Sequence, residues 1–97
     1  MPLKLQSIKK ANDGIKKYKA TFTDDERTYS VKFGQLGYSD YTINKDEARK
    51  QRYLDRHKSN ENWNKPDTPG SLSKHILWGP TTSLQKNIQL FKQKFSL

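Results

Sequence analysis

The sequence contains no cysteine in its 97 residues. Disulfide bonds, thiol catalysis and thiolate metal sites are therefore excluded, and only two histidines remain as nitrogen ligands for a metal. No run approaches the roughly 18 apolar residues of a membrane-spanning helix, and the N-terminus has no apolar signal-peptide segment. We therefore expect a protein without metal or cofactor that is made and kept inside a cell and has no membrane partner.

Apolar residues are also scarce. Ala, Val, Ile, Leu, Met, Phe, Trp and Gly together make up about 31% of the chain, whereas they account for about 45–50% of ordinary globular domains. The two Trp, five Tyr and four Phe compensate in part, because each buried ring removes a large area from water. We expect one small domain over residues 1–97 with a thin core, in which 1–35 form a β-meander and 42–97 form the helical part.

The first 35 residues have the two-residue periodicity of β-strands. Leu3, Leu5 and Ile8 mark a loose first strand, and Asn12-Asp13-Gly14 is a turn sequence. Two clearer strands follow, with these side chains at alternate positions: Tyr18, Ala20, Phe22, Tyr29, Val31 and Phe33. The opposite face of these strands carries three lysines, namely Lys17, Lys19 and Lys32. The pattern predicts a three-stranded antiparallel sheet with one aromatic face and one cationic face.

About three helices are predicted after the sheet, which makes the fold class α+β rather than alternating βαβ. Asn44 followed by Glu47 has the spacing of a capping box and predicts the start of the first helix. At about 100° per residue, four cations fall on one stripe of this helix: Lys45, Arg49, Arg52 and Arg56. The roughly opposite stripe is expected to be apolar and consists of Ile43, Tyr53, Leu54 and His57. The sequence therefore predicts a helix with one basic side and one apolar side.

Two further helices are predicted between residues 68 and 97. Thr68 followed by Pro69 is typical of a helix start, and Gly79-Pro80 is typical of a helix end. Thr81 or Thr82 is expected to cap the last helix. The apolar positions of that helix are spaced by four, three and four residues: Leu84, Ile88, Phe91 and Phe95. We expect this C-terminal helix to pack on the aromatic face of the sheet.

The balance of charges is strongly basic. The chain has 19 Lys and Arg against 10 Asp and Glu, a formal net charge of +9, and no acidic residue occurs from 68 to 97. Lysine neutralises phosphate without reading bases, and no helix-turn-helix, zinc-finger or basic-zipper pattern is present. We therefore predict sequence-independent binding to the phosphate backbone of nucleic acid, most simply DNA. The predicted contact residues are Lys17, Lys19, Lys32, Lys45, Arg49, Arg52 and Arg56.

A different interpretation of the same charges stays open. Basic stripes also occur on helix faces that are merely solvated, and the outward face of a half-exposed sheet is polar in any case. An enzyme is not expected, because the chain has no nucleophile motif, no glycine-rich phosphate loop and no carboxylates paired at catalytic spacing. Both histidines, His57 and His75, are interpreted as packing or hydrogen-bonded residues of the interior.

Two segments are the most specific parts of a longer resemblance that covers residues 18 to 79. They read Phe-Gly-Gln-Leu-Gly-Tyr-Ser-Asp-Tyr-Thr at 33–42 and Arg-Tyr-Leu-Asp-Arg-His at 52–57. The chain resembles there a family of small basic, uncharacterised proteins of giant DNA viruses, with members in marseilleviruses and mimiviruses. The resemblance implies a viral protein packaged in the virion, present in the host cytoplasm or nucleus during infection, and it implies no catalytic residue. The alternative is a structural virion protein that meets an acidic partner protein or forms a homodimer around Trp63 and Trp78.

A more limited similarity is to the WGR domain, a DNA-contacting module in which a strand ends in Trp-Gly-Arg before a helix. Phe33-Gly34-Gln35 and the helix start at Asp46-Glu47-Ala48 lie in a similar order, with Phe and Gln in place of Trp and Arg. This similarity also implies contact with DNA.

Overall fold

The computed structural model describes residues 3–97. Three antiparallel strands form one sheet in the order β1-β2-β3. Their bounds are Lys4–Lys10 for β1, Lys16–Thr23 for β2 and Thr28–Gln35 for β3. Four α-helices follow, namely α1 (Tyr41–Asn44), α2 (Glu47–His57), α3 (Pro69–Leu72) and α4 (Leu84–Lys94), and a π-helical turn (Ser73–Leu77) continues α3 directly. The predicted α+β class is confirmed, with an N-terminal three-stranded antiparallel sheet, helices after it and a C-terminal helix that packs on it.

The turn between β1 and β2 lies at the predicted Asn12-Asp13-Gly14 sequence. Asn12 and Gly14 have positive φ angles of 58° and 74°, which Asn and Gly adopt most readily. The Asp13 carboxylate accepts hydrogen bonds from the amides of Ile15 and Lys16 at 2.9 and 2.8 Å. These bonds, together with Lys32, hold the pKa of Asp13 well below its usual range. The side chain of Asp13 therefore fixes the turn and stays charged.

The pairing of β2 with β3 confirms the predicted alternation. Tyr18 lies opposite Phe33 and Phe22 opposite Tyr29, with ring centroids 5.8 and 5.9 Å apart. Ala20, Phe22 and Phe33 are fully buried on this face. The aromatic face of the sheet is therefore the side on which the helices pack.

The segment from α3 through the π-helical turn provides most of the cover for that face. Thr68 caps α3 as predicted, since its hydroxyl accepts the Ser71 amide at 3.1 Å. The segment ends where the Trp78 amide donates to the Ser73 carbonyl at 2.9 Å, five residues back as in a π-helix. The segment brings three fully or nearly fully buried side chains to the core, which are Leu72, Ile76 and Leu77.

The C-terminal helix α4 uses the predicted apolar stripe. Phe91 is 1% exposed and lies in the same buried cluster as Phe22 and Phe33. The N-cap of α4 is Ser83, whose hydroxyl accepts the Lys86 amide, and the prediction of Thr81 or Thr82 is wrong. Thr81 is engaged elsewhere, because its amide and hydroxyl both donate to the Asn87 side chain.

Asn87 is a fully buried amide that ties the start of α4 to the end of the π-helical turn. Its side-chain nitrogen donates to the carbonyls of Ile76 and Thr81, both at 2.8 Å. Its oxygen accepts the Thr81 amide at 3.0 Å and the Thr81 hydroxyl at 2.7 Å. All four hydrogen-bonding positions of the amide are used, so this polar side chain is compatible with the interior.

Replacing Asn87 by Ala is expected to lower the free energy of unfolding by about 3 kcal/mol, because two buried carbonyls and one amide lose their partner. Urea denaturation followed by tryptophan fluorescence measures the loss. Asn60→Ala, at an exposed position, is the matched control and should change the stability by less than about 0.5 kcal/mol. Equal midpoints for the two variants would contradict the role given to Asn87.

Candidate functional site

The position at which α2 begins determines which of the cations predicted for this helix lie on the same surface. Its N-cap is Asp46, whose carboxylate accepts the Arg49 amide at 3.1 Å, and the predicted N-cap Asn44 is wrong. Asn44 ends α1 instead and accepts the Asp46 amide at 2.8 Å. Lys45 lies between the two helices in the left-handed conformation, with φ 53°. Lys45 is therefore exposed but does not belong to the arginine stripe of α2.

The arginines of α2 lie beside Tyr53, not opposite to it as predicted. Tyr53 follows Arg49 by four residues and precedes Arg56 by three, and such positions are neighbours on a helix surface. Arg49, Tyr53 and Arg56 all line one cleft, whereas Arg52 is exposed outside that cleft. Ile43 is 62% exposed on α1 and does not face the core.

This cleft has a volume of about 560 Å³ and lies between α2, the α3 region and the ends of β2 and β3. Its volume is within the range of roughly 300–1,000 Å³ that small-ligand pockets occupy. Four cations line it, namely Lys16, Lys17, Arg49 and Arg56. Asp40 and Glu61 are the acidic residues of the lining.

One wall of the cleft is a stack of three rings. Tyr53 lies between His57 and Trp78, with ring centroids at 4.3 and 4.5 Å. Burial raises the pKa of Tyr53 to about 12, so the phenol is neutral at physiological pH. The Trp78 ring is almost fully buried in the core, so it offers little surface for the homodimer contact considered as an alternative. The stack fixes the direction of α2 against the core and hence the positions of Arg49 and Arg56.

Both carboxylates of the cleft are engaged by other groups. Glu61 accepts the Trp63 indole N–H at 2.8 Å and lies 3.3 Å from His57 Nδ1. Asp40 pairs with Lys17. Among residues 3–97, neither Lys16, Arg49 nor Arg56 takes part in an ion pair. The cleft therefore presents three cations whose charge is not neutralised by the protein.

Lys17 does not lie on the open face of the sheet, where the alternation predicted it. Its ammonium is 2.5 Å from the Asp40 carboxylate, and the two side chains are only 11% and 2% exposed. The other oxygen of Asp40 accepts the amide and the hydroxyl of Thr42 and so caps α1. Lys17 is thus a structural residue that joins β2 to the first helix.

Breaking this buried pair is expected to be costly. Asp40→Asn keeps an acceptor for the cap but removes the charge, and should lower the free energy of unfolding by about 3 kcal/mol, because Lys17 is left buried without a counterion. Adding Lys17→Met should restore most of the loss. Urea denaturation of the single and double variants measures the coupling.

The exposed pair of Lys32 and Asp13, 3.1 Å apart, supplies the control for the buried one. Lys32→Met should change the stability by less than about 1 kcal/mol. If Asp40→Asn proved as mild as Lys32→Met, the buried pair would not have the structural role described.

The open face of the sheet carries a lysine row, which we define as Lys9, Lys19 and Lys32. Lys19 lies directly opposite Lys9 on one side and Lys32 on the other. The sequence pattern did not reveal Lys9, because the register of β1 shifts between Leu5 and Ser7 and hides the alternation of that strand. Next to the row, the hydroxyls of Thr21 and Ser30 lie 3.2 Å apart. This face therefore offers cations and hydroxyl groups.

The lysine row and the cleft share strand β2. Lys19 follows Lys17 by two residues, so their Cα atoms are about 7 Å apart, but the Lys17 side chain pairs with Asp40 in the cleft and not with the row. Like charges directly opposite one another destabilise a sheet. Within the lysine row, Asp13 offsets the charge of Lys32 but not that of Lys9 or Lys19. The lysine row therefore lowers the stability of the folded protein.

A separate group of cations lies at the other side of Trp78. A cavity of about 310 Å³ is lined by Lys50, Lys74 and Lys94. Burial, with help from Lys94 and Lys50, lowers the pKa of Lys74, whose ammonium lies 5.1 Å above the Trp63 ring. Two of the four lysines after residue 68, Lys74 and Lys94, therefore lie next to α2.

Metal ligation and membrane crossing have no counterpart among the side chains and helices of residues 3–97. No group of three His, Asp or Glu side chains there is placed to hold a metal ion. None of the helices in that range is long and apolar enough to cross a membrane.

The fold and the surface define a small basic α+β protein with a cationic cleft and a cationic sheet face. Residues 6–57, more than half of the chain, match the model of a family of unknown function, DUF5754, and the chain belongs to this family. The matched segment contains the lysine row, Arg49 and Arg56. Searches of curated proteins and of solved structures gave no significant match.

Proposed function

We propose that this protein binds nucleic acid, in particular DNA, through the phosphate backbone and without sequence specificity. The observation that supports the proposal is that cations without an ion-pair partner among residues 3–97 lie on two surfaces that share strand β2. Lys9 and Lys19 of the lysine row lie on the open face of the sheet, and Lys16, Arg49 and Arg56 line the cleft. Because exposed cations that bind phosphate release counterions, such a surface gives affinity for any sequence.

The same features argue against a merely solvated surface. Exposed cations that serve solubility alone need not lie opposite one another, yet Lys19 has a lysine on each side. Arg49 and Arg56 converge on a concave surface whose own carboxylates are occupied by Lys17, Trp63 and His57. An anionic ligand would be the remaining counterion for these groups.

The arrangement also favours backbone contact over base readout. Lysine ammonium groups contact phosphates as point charges, and only two arginines of the site can form bidentate bonds. Binding that depends on charge and little on sequence follows from this geometry.

The first test is a titration of labelled duplex DNA of unrelated sequences, read by fluorescence anisotropy from about 50 to 300 mM salt. Five contacts, by Lys9, Lys16, Lys19, Arg49 and Arg56, predict a slope of log K against log salt of about −4.5. Similar affinities for unrelated sequences are expected. Absence of binding at low salt would exclude the proposal and leave an acidic partner protein as the ligand of this surface.

The cleft arginines are tested by the double variant Arg49→Gln/Arg56→Gln. Losing two phosphate contacts should reduce the magnitude of the salt slope by about 2 and weaken binding in proportion. The control is Arg52→Gln/Lys58→Gln, which removes equal charge from exposed positions of the same helix region outside the cleft. Equal losses for the two double variants would show that net charge acts and not the cleft.

We expect the lysine row to lower the stability of the fold and to strengthen DNA binding. Lys19→Gln should raise the free energy of unfolding by about 0.5 kcal/mol at low salt, because it removes two like-charge contacts. The same variant should weaken DNA binding. Lys92→Gln, at an exposed position of α4, should change neither quantity measurably, and a Lys19→Gln variant that is less stable than the parent would contradict the repulsion.

We further propose that the binding takes place in a virion, as the resemblance to small basic proteins of giant DNA viruses implies. A basic protein that binds DNA irrespective of sequence is suited to neutralising a packaged genome. Mass spectrometry of purified virions, with and without nuclease treatment of the opened particle, would show whether the protein is packaged and held by the DNA.

A further inference from the structure

Four large apolar side chains are exposed next to the cleft. Ile15, Leu36, Tyr38 and Ile43 are 60%, 50%, 70% and 62% exposed. Ile15 and Leu36 are adjacent, since the Leu36 amide donates to the Ile15 carbonyl at 2.9 Å. Leu36, Tyr38 and Ile43 line an apolar groove of about 530 Å³. In a chain with so few apolar residues, this concentration on the surface calls for an explanation.

Tyr38 stands at the border between this apolar groove and the cationic cleft. It lines both concavities, together with Lys17 and Ser39. A turn positions it, because the Tyr38 amide donates to the Gln35 carbonyl at 3.2 Å and Gly37 between them has φ 87°. The tyrosine ring is therefore presented outward by the backbone, with cations on one side and aliphatic side chains on the other.

We propose that the apolar groove and Tyr38 bind an unpaired base of single-stranded nucleic acid whose phosphates contact the cleft. The proposal rests on the proposed nucleic-acid function and specifies its ligand. A base stacks on an exposed aromatic ring regardless of sequence, and a cationic groove beside the ring follows the backbone. Lys16, Arg49 and Arg56 are the cations of the cleft that such a strand would meet.

Charge complementarity favours this occupant over a second copy of the chain. The apolar groove is bordered by Lys10, and the cleft next to it adds Lys16. Two copies with a formal charge of +9 each would bring these cations together at a symmetric interface. A nucleotide instead combines a flat apolar face with an anionic group, which matches the two halves of the surface.

The test compares oligothymidine of about 20 nucleotides, an abasic strand of equal length and a duplex, each labelled and titrated at fixed salt. Tyr38→Ala should weaken binding of oligothymidine about 5- to 150-fold, the effect of losing one stacked base, and should leave duplex and abasic binding unchanged. Tyr38→Phe should restore the affinity for oligothymidine to within about twofold, because the ring is retained. The high exposure of Tyr38 makes these variants compatible with the fold.

The outcomes separate this inference from the function on which it rests. If the parent binds the duplex and the abasic strand but Tyr38→Ala leaves oligothymidine binding intact, the base site is wrong and the phosphate-binding function remains. Equal weakening of all three ligands by Tyr38→Ala would also overturn the base site. If size-exclusion chromatography showed a dimer that Tyr38→Ala dissociates, the apolar groove would be an interface between copies. A parent protein that binds none of the ligands would refute both.

Discussion

The ion pair of Lys17 and Asp40 is the contact on which the arrangement of the two parts of the molecule depends. Lys17 belongs to the central strand, and Asp40 precedes the first helix and caps it. The pair therefore sets where the chain leaves the sheet, and the left-handed Lys45 and the cap at Asp46 then set the start of α2. It also withdraws one carboxylate from the cleft. Without that pair, a buried Asp40 charge would compete with any anionic ligand of the site.

This chain has few apolar residues, and its interior also contains buried polar side chains that form hydrogen bonds. Asn87 uses both its donors and its acceptor, and His75 bonds the Trp63 carbonyl at 3.1 Å while it contacts the rings of Phe91 and Phe95. Burial lowers the pKa of His75, so the neutral ring is the form that the core favours. Such networks specify one arrangement of the helices, because each partner has few alternatives.

The sequence predicted the strands and helices that show a clear local periodicity. It did not predict features that depend on where a helix starts or on contacts between distant residues. Alternation identified β2 and β3, and the spacing of apolar residues identified α4. The position of Lys45 depended on choosing between two caps two residues apart, and local patterns do not decide that choice. The burial of Lys17 required a partner 23 residues away, and the place of Lys9 required the register shift in β1. Local periodicity contains no information on either.

The segment that matches the family model and the rest of the chain have different roles in the structure. Residues 6–57 carry the lysine row, the arginines of the cleft and Tyr38. Residues beyond this segment supply the cover for the aromatic face of the sheet, through Leu72, Ile76 and Phe91 among others. A three-stranded sheet with an uncovered aromatic face would not be stable in water as a monomer. The strands can therefore expose a charged face only because the C-terminal helices bury their aromatic face. The free energy gained by that burial offsets the repulsion between lysines that lie opposite one another.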